Sequence, residues 1–228
     1  MIEAQRVPMD VVERTFGDGT SQVVKFATML AEYGVERGLI GPREVDRLWD
    51  RHLLNSAVVA ELLPQHSRTV DVGSGAGLPG VPLAIARPDL RLTLLEPKVR
   101  RVDWLEEVVR VLGLNIDVMR GRVEEPAVRQ RLAGSDIVVA RAIAPLERLA
   151  AWCLPVLRPG GQLLALKGAS AAEELVRDAK AIAKAGGSRQ RVVSCGEAVL
   201  RVPTTVVVVD RDESVSRRDG GRRRRKDW

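Results

Sequence analysis

From residue 69 onward the chain alternates short apolar runs with helix-like stretches, and this rhythm restricts the fold more than any single residue does. The runs are 69–73 (TVDVG), 91–96 (RLTLLE), 115–119 (NIDVM), 136–140 (DIVVA), 162–167 (QLLALK), 190–194 (QRVVS) and 204–209 (TTVVVV). Amphipathic stretches such as PGVPLAIA and VRRVDWLEEVVRVLG separate the earlier ones, the second closed by Gly113. Strand–helix–strand repetition builds a parallel sheet with helices on both faces. The last two runs stand too close for a helical crossover, so an antiparallel pair at one edge is expected. The prediction is an α/β chain of Rossmann-like type: a mostly parallel seven-stranded sheet with an antiparallel edge strand.

The first 65 residues read as helix. From Ser21, a plausible N-cap, Val23, Phe26, Ala27 and Leu30 recur at helical spacing. A second helix is expected from Pro42, just after Gly41, through REVDRLWDRHLLNSAVVAELL to a stop at Pro64. The expected organisation is an N-terminal helical extension over 1–66, an α/β domain over 67–210 and a disordered basic tail over 211–228.

Charge and composition remove several classes of function. The net charge is +6, but residues 211–228 hold eight basic and four acidic side chains, which leaves only +2 for the rest. The tail (RDESVSRRDGGRRRRKDW) has too little apolar content to fold. Its RRRRK run suits non-specific phosphate contacts or simple solvation. Aromatics make up 3% of residues, too few for a base-stacking platform of the kind single-strand binders use. Two cysteines, Cys153 and Cys195, without a Cys/His cluster argue for a reducing compartment and against a bound metal. The acidic N-terminus is unlike a signal peptide, and no apolar run approaches membrane-spanning length. A cytoplasmic monomer without membrane contact is expected.

Sites in parallel sheets lie where strands hand over to loops at their carboxyl ends. The residues there are Asp71 with Gly73, Gly75 and Gly77, then Glu96, Glu124, Arg141 and Lys167. The glycine loop DVGSGAGLPG fits two cofactors. From Gly75 it reads G-x-G-x-x-G, the dinucleotide fingerprint; from Asp71 it reads D-x-G-x-G-x-G, the loop of S-adenosylmethionine (SAM) enzymes. A pyrophosphate beside the Asp71 carboxylate would be repelled. SAM carries an ammonium and a sulfonium instead, so Asp71 favours SAM over a dinucleotide. Pro79 suits the first turn of a helix that begins after Gly77. Glu96, roughly 20 residues past the loop, suits a ribose diol in either cofactor.

TVDVGSGAGLPGVPLAI, LTLLEPKVRRVDWLEEV, GRVEE, ARAIAPL and LALKG, with LWDRHLLNSA before them, resemble the glucose-inhibited division B family. These are bacterial SAM-dependent methyltransferases that modify N7 of one guanine in 16S ribosomal RNA of the small subunit. The resemblance runs from about Arg37 to Val209, and the family pattern does not require the basic tail. It implies the Rossmann-like SAM-dependent methyltransferase fold. It also implies that Gly73 and Leu78 line the methionine side of SAM, that Glu96 binds the ribose and that Val123 and Glu124 flank the adenine. Arg141 would sit where cofactor and target base meet, with Lys167 as a second basic group near the RNA.

The chemistry agrees with those residue types. Guanine N7 is an unprotonated acceptor, so it can attack the sulfonium methyl without a general base, and Arg141 and Lys167 would only position it. The fourth strand ends in ARAIAP, not in the N/D-P-P-Y/F pattern of exocyclic-amine methylation. Cys153 and Cys195 read as structural, which removes carbon-5 methylation. His52, in register with Leu48 and Val45, reads as a packed histidine, and Trp49, Trp104 and Trp152 as core. The RNA footprint is expected to be local: Arg47, Arg51, Lys98, Arg100, Arg101, Arg141 and Lys167, on an assembled small-subunit particle that supplies shape. Two alternatives stay open, a SAM enzyme of small molecules and a SAM-binding RNA scaffold without activity.

Overall fold

The computed structural model describes residues 7–213. Its centre is a seven-stranded sheet of β1 (Arg68–Val72), β2 (Arg91–Glu96), β3 (Asp117–Arg120), β4 (Ser135–Arg141), β5 (Leu157–Lys167), β6 (Gly187–Cys195) and β7 (Thr204–Arg211). The order is β3-β2-β1-β4-β5-β7-β6. Strands β1 to β5 pair in parallel, and β7 is antiparallel to both β5 and β6. The expected antiparallel pair is there, with one refinement: the antiparallel strand β7 lies one place in from the edge, and β6 is outermost. Its VVVV run explains the position. Val206 and Val208 face one core cluster while Val207 and Val209 face the other, so β7 needs cover on both sides.

Five helices follow the strands: α4 (Gly80–Ala86), α5 (Val99–Leu112), α6 (Pro126–Leu132), α7 (Leu146–Cys153) and α8 (Ala171–Lys184). In α5 the buried residues Val102, Leu105, Val108 and Leu112 form one stripe, and Gly113 ends the helix at φ +63°. One sheet face is covered by α4, α5 and the N-terminal segments, the other by α6, α7 and α8.

The N-terminal segments belong to the same core as the sheet. Helices α1 (Met9–Phe16) and α2 (Thr20–Tyr33) bury Val12, Phe16, Val23, Phe26, Ala27 and Leu30 in the cluster that holds Leu94 and Val139. Helix α2 begins at Thr20, so Ser21 lies inside it rather than capping it.

The expected regular helix over 42–63 is corrected. The chain there is a 3-10 turn (Pro42–Arg47), a π-helical turn (Leu48–Leu53), the short α3 (Leu54–Ala57) and another 3-10 turn (Val58–Leu62). Leu48 and Leu53, both buried, stand five apart, which suits the wide π turn better than an α-helical face. Apolar spacing alone did not separate these geometries. The first residue assigned to the tail, Arg211, ends β7. The RRRRK run lies outside the described residues.

Candidate functional site

In the sheet order, β2 lies on one side of β1 and β4 on the other, so the loops after β1 and β4 diverge. A crevice at such a reversal, outside the carboxyl ends, is where open α/β sheets bind ligands. The alternation of side chains along each strand then decides which rim residues share a face. Asp71, Glu96 and Arg141 alternate with Val72, Leu95 and Ala140, which belong to the α6–α8 core. All three therefore point to the face covered by the N-terminal segments. Lys167 follows Leu166, which faces that N-terminal side, and so points the opposite way.

The glycine loop is held by backbone bonds within and by side chains around it. Gly73 and Ser74 N–H donate to Leu95 O at 2.8 and 3.2 Å, and Gly77 and Leu78 N–H donate to Ser74 O at 2.7 and 3.0 Å. Gly73 and Gly77 have φ of +73° and +100°. A Cβ on either would lie 2.8 Å from Ile143 Cγ2 or Val81 Cγ2, so both the dihedral and the space call for glycine. Trp104, fully buried, donates from Nε1 to Ala76 O at 3.0 Å and pins the far side of the loop. Leu78 is half-buried against the N-terminal core.

Two buried carboxylates flank this loop. Glu96 accepts Gly75 N–H at Oε2 and Lys98 N–H at Oε1, both at 3.0 Å. Each oxygen keeps a second lone pair, enough for a sugar diol. Asp71 is 0% exposed; its Oδ2 accepts Gly80 N–H at 3.0 Å, while its Oδ1 has no partner. Burial pushes the Asp71 carboxyl up to about 7; the Ser74 hydroxyl, the Gly80 hydrogen bond and the Arg141 charge oppose the rise, and the Glu96 charge adds to it. A buried acceptor without a partner, next to a second acid, is an unfavourable place for a pyrophosphate and a favourable one for a cation. These residues fit SAM.

Arg141 ends β4 and is half-buried. Its Nη2 donates to Arg51 O at 3.0 Å and meets His52 Nδ1 at 2.7 Å; its Nη1 donates to Ser56 Oγ at 3.2 Å. Burial holds its pKa below the ordinary arginine value, yet a guanidinium remains charged. The residue after it, Ala142, has φ +52°, which turns the chain so that Ile143 reaches Gly73.

Lys167 lies on the same rim but not in the same pocket. Its Nζ donates to Glu174 Oε1 of α8 at 2.9 Å and to Ala144 O at 3.0 Å, with both charged side chains mostly buried. Glu174 Oε1 also accepts Leu146 N–H at 2.7 Å, so this pair anchors the loop after β4. Val123 is 2% exposed, packed in the α6–α8 core, and its carbonyl accepts Arg129 Nε–H at 3.0 Å. Only its backbone N–H and the half-buried Glu124 remain for a ligand. Arg47, Arg51, Lys98 and Arg100 are exposed, whereas Arg101 is half-buried with Nη1 beside the space over Gly75. Cys153 and Cys195 are buried, with thiols pushed up to about 12 and about 11 by desolvation. Trp104 is core, while Trp49 and Trp152 are half-buried at its margin.

Sequence reasoning missed the contact of His52 and Ser56 with Arg141, and that of Glu44 with His52. His52 is buried, as expected of a packed histidine, but its neighbours are polar groups of the site. A histidine at an apolar position next to an arginine was the available signal. Its partner in β4, 89 residues away, was not readable from the chain.

Comparison with known proteins adds an independent line. A family model, GidB, described as rRNA small subunit methyltransferase G, matches residues 20–202. The ribosomal RNA small subunit methyltransferase G of Mycobacterium marinum is 53% identical over 205 residues, 90% of each chain. Its counterpart in Corynebacterium jeikeium is 52% identical over 204 residues, 90% of this chain and 92% of the relative. Among solved structures, Aeropyrum pernix fibrillarin in complex with natively bound S-adenosyl-L-methionine aligns with a TM-score of 0.52 at 23% identity. That alignment covers 68% of this chain and 76% of the other, a likeness of fold.

Proposed function

The chain belongs to the GidB family, rRNA small subunit methyltransferase G, and we propose that it transfers a methyl group from SAM to N7 of one guanine in 16S ribosomal RNA. The observation that carries the cofactor reading is the buried Asp71 Oδ1 without a partner, beside Glu96 and a glycine loop. Asp71, Gly73, Gly75, Gly77 and Leu78 would hold the charged end of SAM, Glu96 the ribose, and the Val123 N–H with Glu124 the adenine edge. SAM supplies an electrophilic methyl on a sulfonium, and the protein has only to align the acceptor with it.

This chain's residues suit that limited task. The guanine N7 lone pair needs no base. The acids nearest the pocket are not placed to act as a base: Glu96 accepts two backbone N–H groups, and Asp71 is fully buried beneath Gly80. Arg141 retains Nε–H and one Nη1–H after its three contacts. One of those donors can hold O6 of the base and leave N7 open to the methyl, so the gain comes from proximity and orientation. Lys167 would act indirectly, by keeping the Ala142–Pro145 loop in place through Ala144 O and Glu174.

The body of the chain carries little net charge, so the RNA contact should be local and the substrate an assembled small subunit, methylated by a monomer in the cytoplasm. Among the described residues, no helix is long and apolar enough to cross a membrane. The test is transfer of labelled methyl from SAM to small subunits from cells lacking the enzyme, mapped by cleavage at N7-methylguanosine. Label at one guanine is expected; SAM binding without label would redirect the reading to a small-molecule substrate. Equal transfer to naked 16S RNA would overturn the particle as the substrate.

A further inference from the structure

Arg141 can only donate hydrogen bonds, so the His52 Nδ1 that it meets at 2.7 Å must present a lone pair. The ring proton then sits on Nε2, which lies 2.6 Å from Glu44 Oε2. Glu44, His52 and Arg141 thus form a polar chain from the 3-10 turn at Pro42–Arg47, through the π turn, to the end of the central strand β4. The π turn contributes to this arrangement. Arg51 O and His52 O accept the Arg141 guanidinium and the Ser56 hydroxyl, and Ser56 Oγ in turn accepts from Arg141.

We propose that His52 is a positioning residue: as the neutral Nε2–H tautomer, oriented by Glu44, it fixes the Arg141 guanidinium in the pose that meets the target guanine. This rests on the role given to Arg141 above. A bridge that merely fastens the N-terminal segment to the sheet would use the same tautomer, so the distinction lies in turnover: its loss would not lower kcat/KM while leaving SAM affinity unchanged. Protonation is one way to break it. A proton added at Nδ1 would face the Arg141 N–H, turning a hydrogen bond into two opposed donors on two cations. The charged groups facing His52 are Glu44 from the preceding 3-10 turn, Arg51 from its own turn and Arg141 from β4. Burial and the Arg141 charge lower the His52 pKa, against the opposing pull of Glu44. Release of Arg141 therefore belongs below the ordinary histidine range, and the bridge is intact at neutral pH.

Two substitutions separate the ring nitrogens. In His52→Gln the amide can still reach Glu44 but offers no acceptor where Nδ1 was. In His52→Asn the amide oxygen takes the Nδ1 place and cannot titrate. At saturating SAM, His52→Gln should lower kcat/KM for small subunits about 10- to 100-fold, the worth of one hydrogen bond to a charged group. SAM affinity, read by direct titration, should stay within about twofold. His52→Asn should recover most of that loss and lack the acid limb that the unaltered enzyme shows in kcat/KM. Asp71, which faces Arg141 from β1, is held ionised by saturating SAM. Wild-type kcat/KM in His52→Gln, or an acid limb in His52→Asn unchanged from that of the unaltered enzyme, overturns the proposal. So does a parallel loss of SAM binding, which would mark a purely structural bridge.

Nitrogen NMR of the full chain supplies a readout independent of turnover and of whether either variant folds. The sequence has only two histidines, His52 and His66, so His66→Gln assigns the spectrum. A neutral His52 protonated at Nε2 is expected at pH 7; a proton at Nδ1 refutes the arrangement. If the unaltered enzyme methylates no small subunits while the tautomer is as expected, the parent reading fails and the catalytic part of this inference falls with it.

Discussion

An Asp71→Asn protein should be more stable than the parent at pH 8 without cofactor, and most of the advantage should be gone at pH 5. The parent carboxyl sits at about 7 in the fold against an ordinary 3.8. The folded state therefore holds its proton more tightly than the unfolded chain does. Stability is fully present below 3.8, falls as pH rises toward 7 and is flat above it. At 1.36 kcal/mol per unit the whole loss is about 4 kcal/mol, of which about 2.5 kcal/mol falls between pH 5 and pH 8. Asparagine is neutral throughout. Its amide still leaves one buried polar atom without a partner, at a cost of about 1–3 kcal/mol that does not vary with pH. The informative quantity is thus the difference between the two pH profiles, read by urea unfolding at constant ionic strength. SAM should reverse the ranking, because its positive charge favours the ionised Asp71 and the variant cannot supply it. Parallel stability profiles for the two proteins from pH 5 to pH 8 would refute the reasoning.

Other outcomes are within reach of standard measurements. Ala142→Gly should raise the urea midpoint by the equivalent of about 0.5–1 kcal/mol, because φ +52° costs an L-residue about 1–2 kcal/mol and glycine returns part of that as unfolded-state entropy. An unchanged or lower midpoint would mean that Ala142 is not strained there. Lys167→Met should cost about 1–3 kcal/mol, since it takes from the mostly buried Glu174 its nearest cation and leaves it the Leu146 N–H and the exposed Arg177 at 3.7 Å. A loss below about 0.5 kcal/mol would show that the pair anchors nothing. Cys153 and Cys195 should resist iodoacetamide at pH 8 in the folded protein and react once urea unfolds it, given burial and thiols near 12 and 11. Rapid labelling of the native protein would contradict their placement.

Chain order and residue type by themselves determined the sheet, its parallel body and the cofactor loop. Those features are local: seven apolar runs, helices between them, and glycines with an acid at the end of the first strand. That Asp71 and Glu96 stand beside the glycine loop was legible because their position relative to the strand ends is a matter of counting. The same counting placed Arg141 and Lys167 together at the rim, and there it reached its limit. A strand's side chains alternate between faces, and only the register of the assembled sheet shows that Arg141 turns toward the N-terminal segment and Lys167 toward α8. The irregular helix at 42–62 is of the same kind. Its apolar spacing reads as one helix, but fitting Leu48, His52 and Leu53 against the sheet widens a turn, and the carbonyls of that turn accept partners from β4 and α3. Sequence determined which chemical groups reach the pocket. The tertiary structure decided which of their donors and acceptors stay free, because each hydrogen bond made across the core removes one from the ligand.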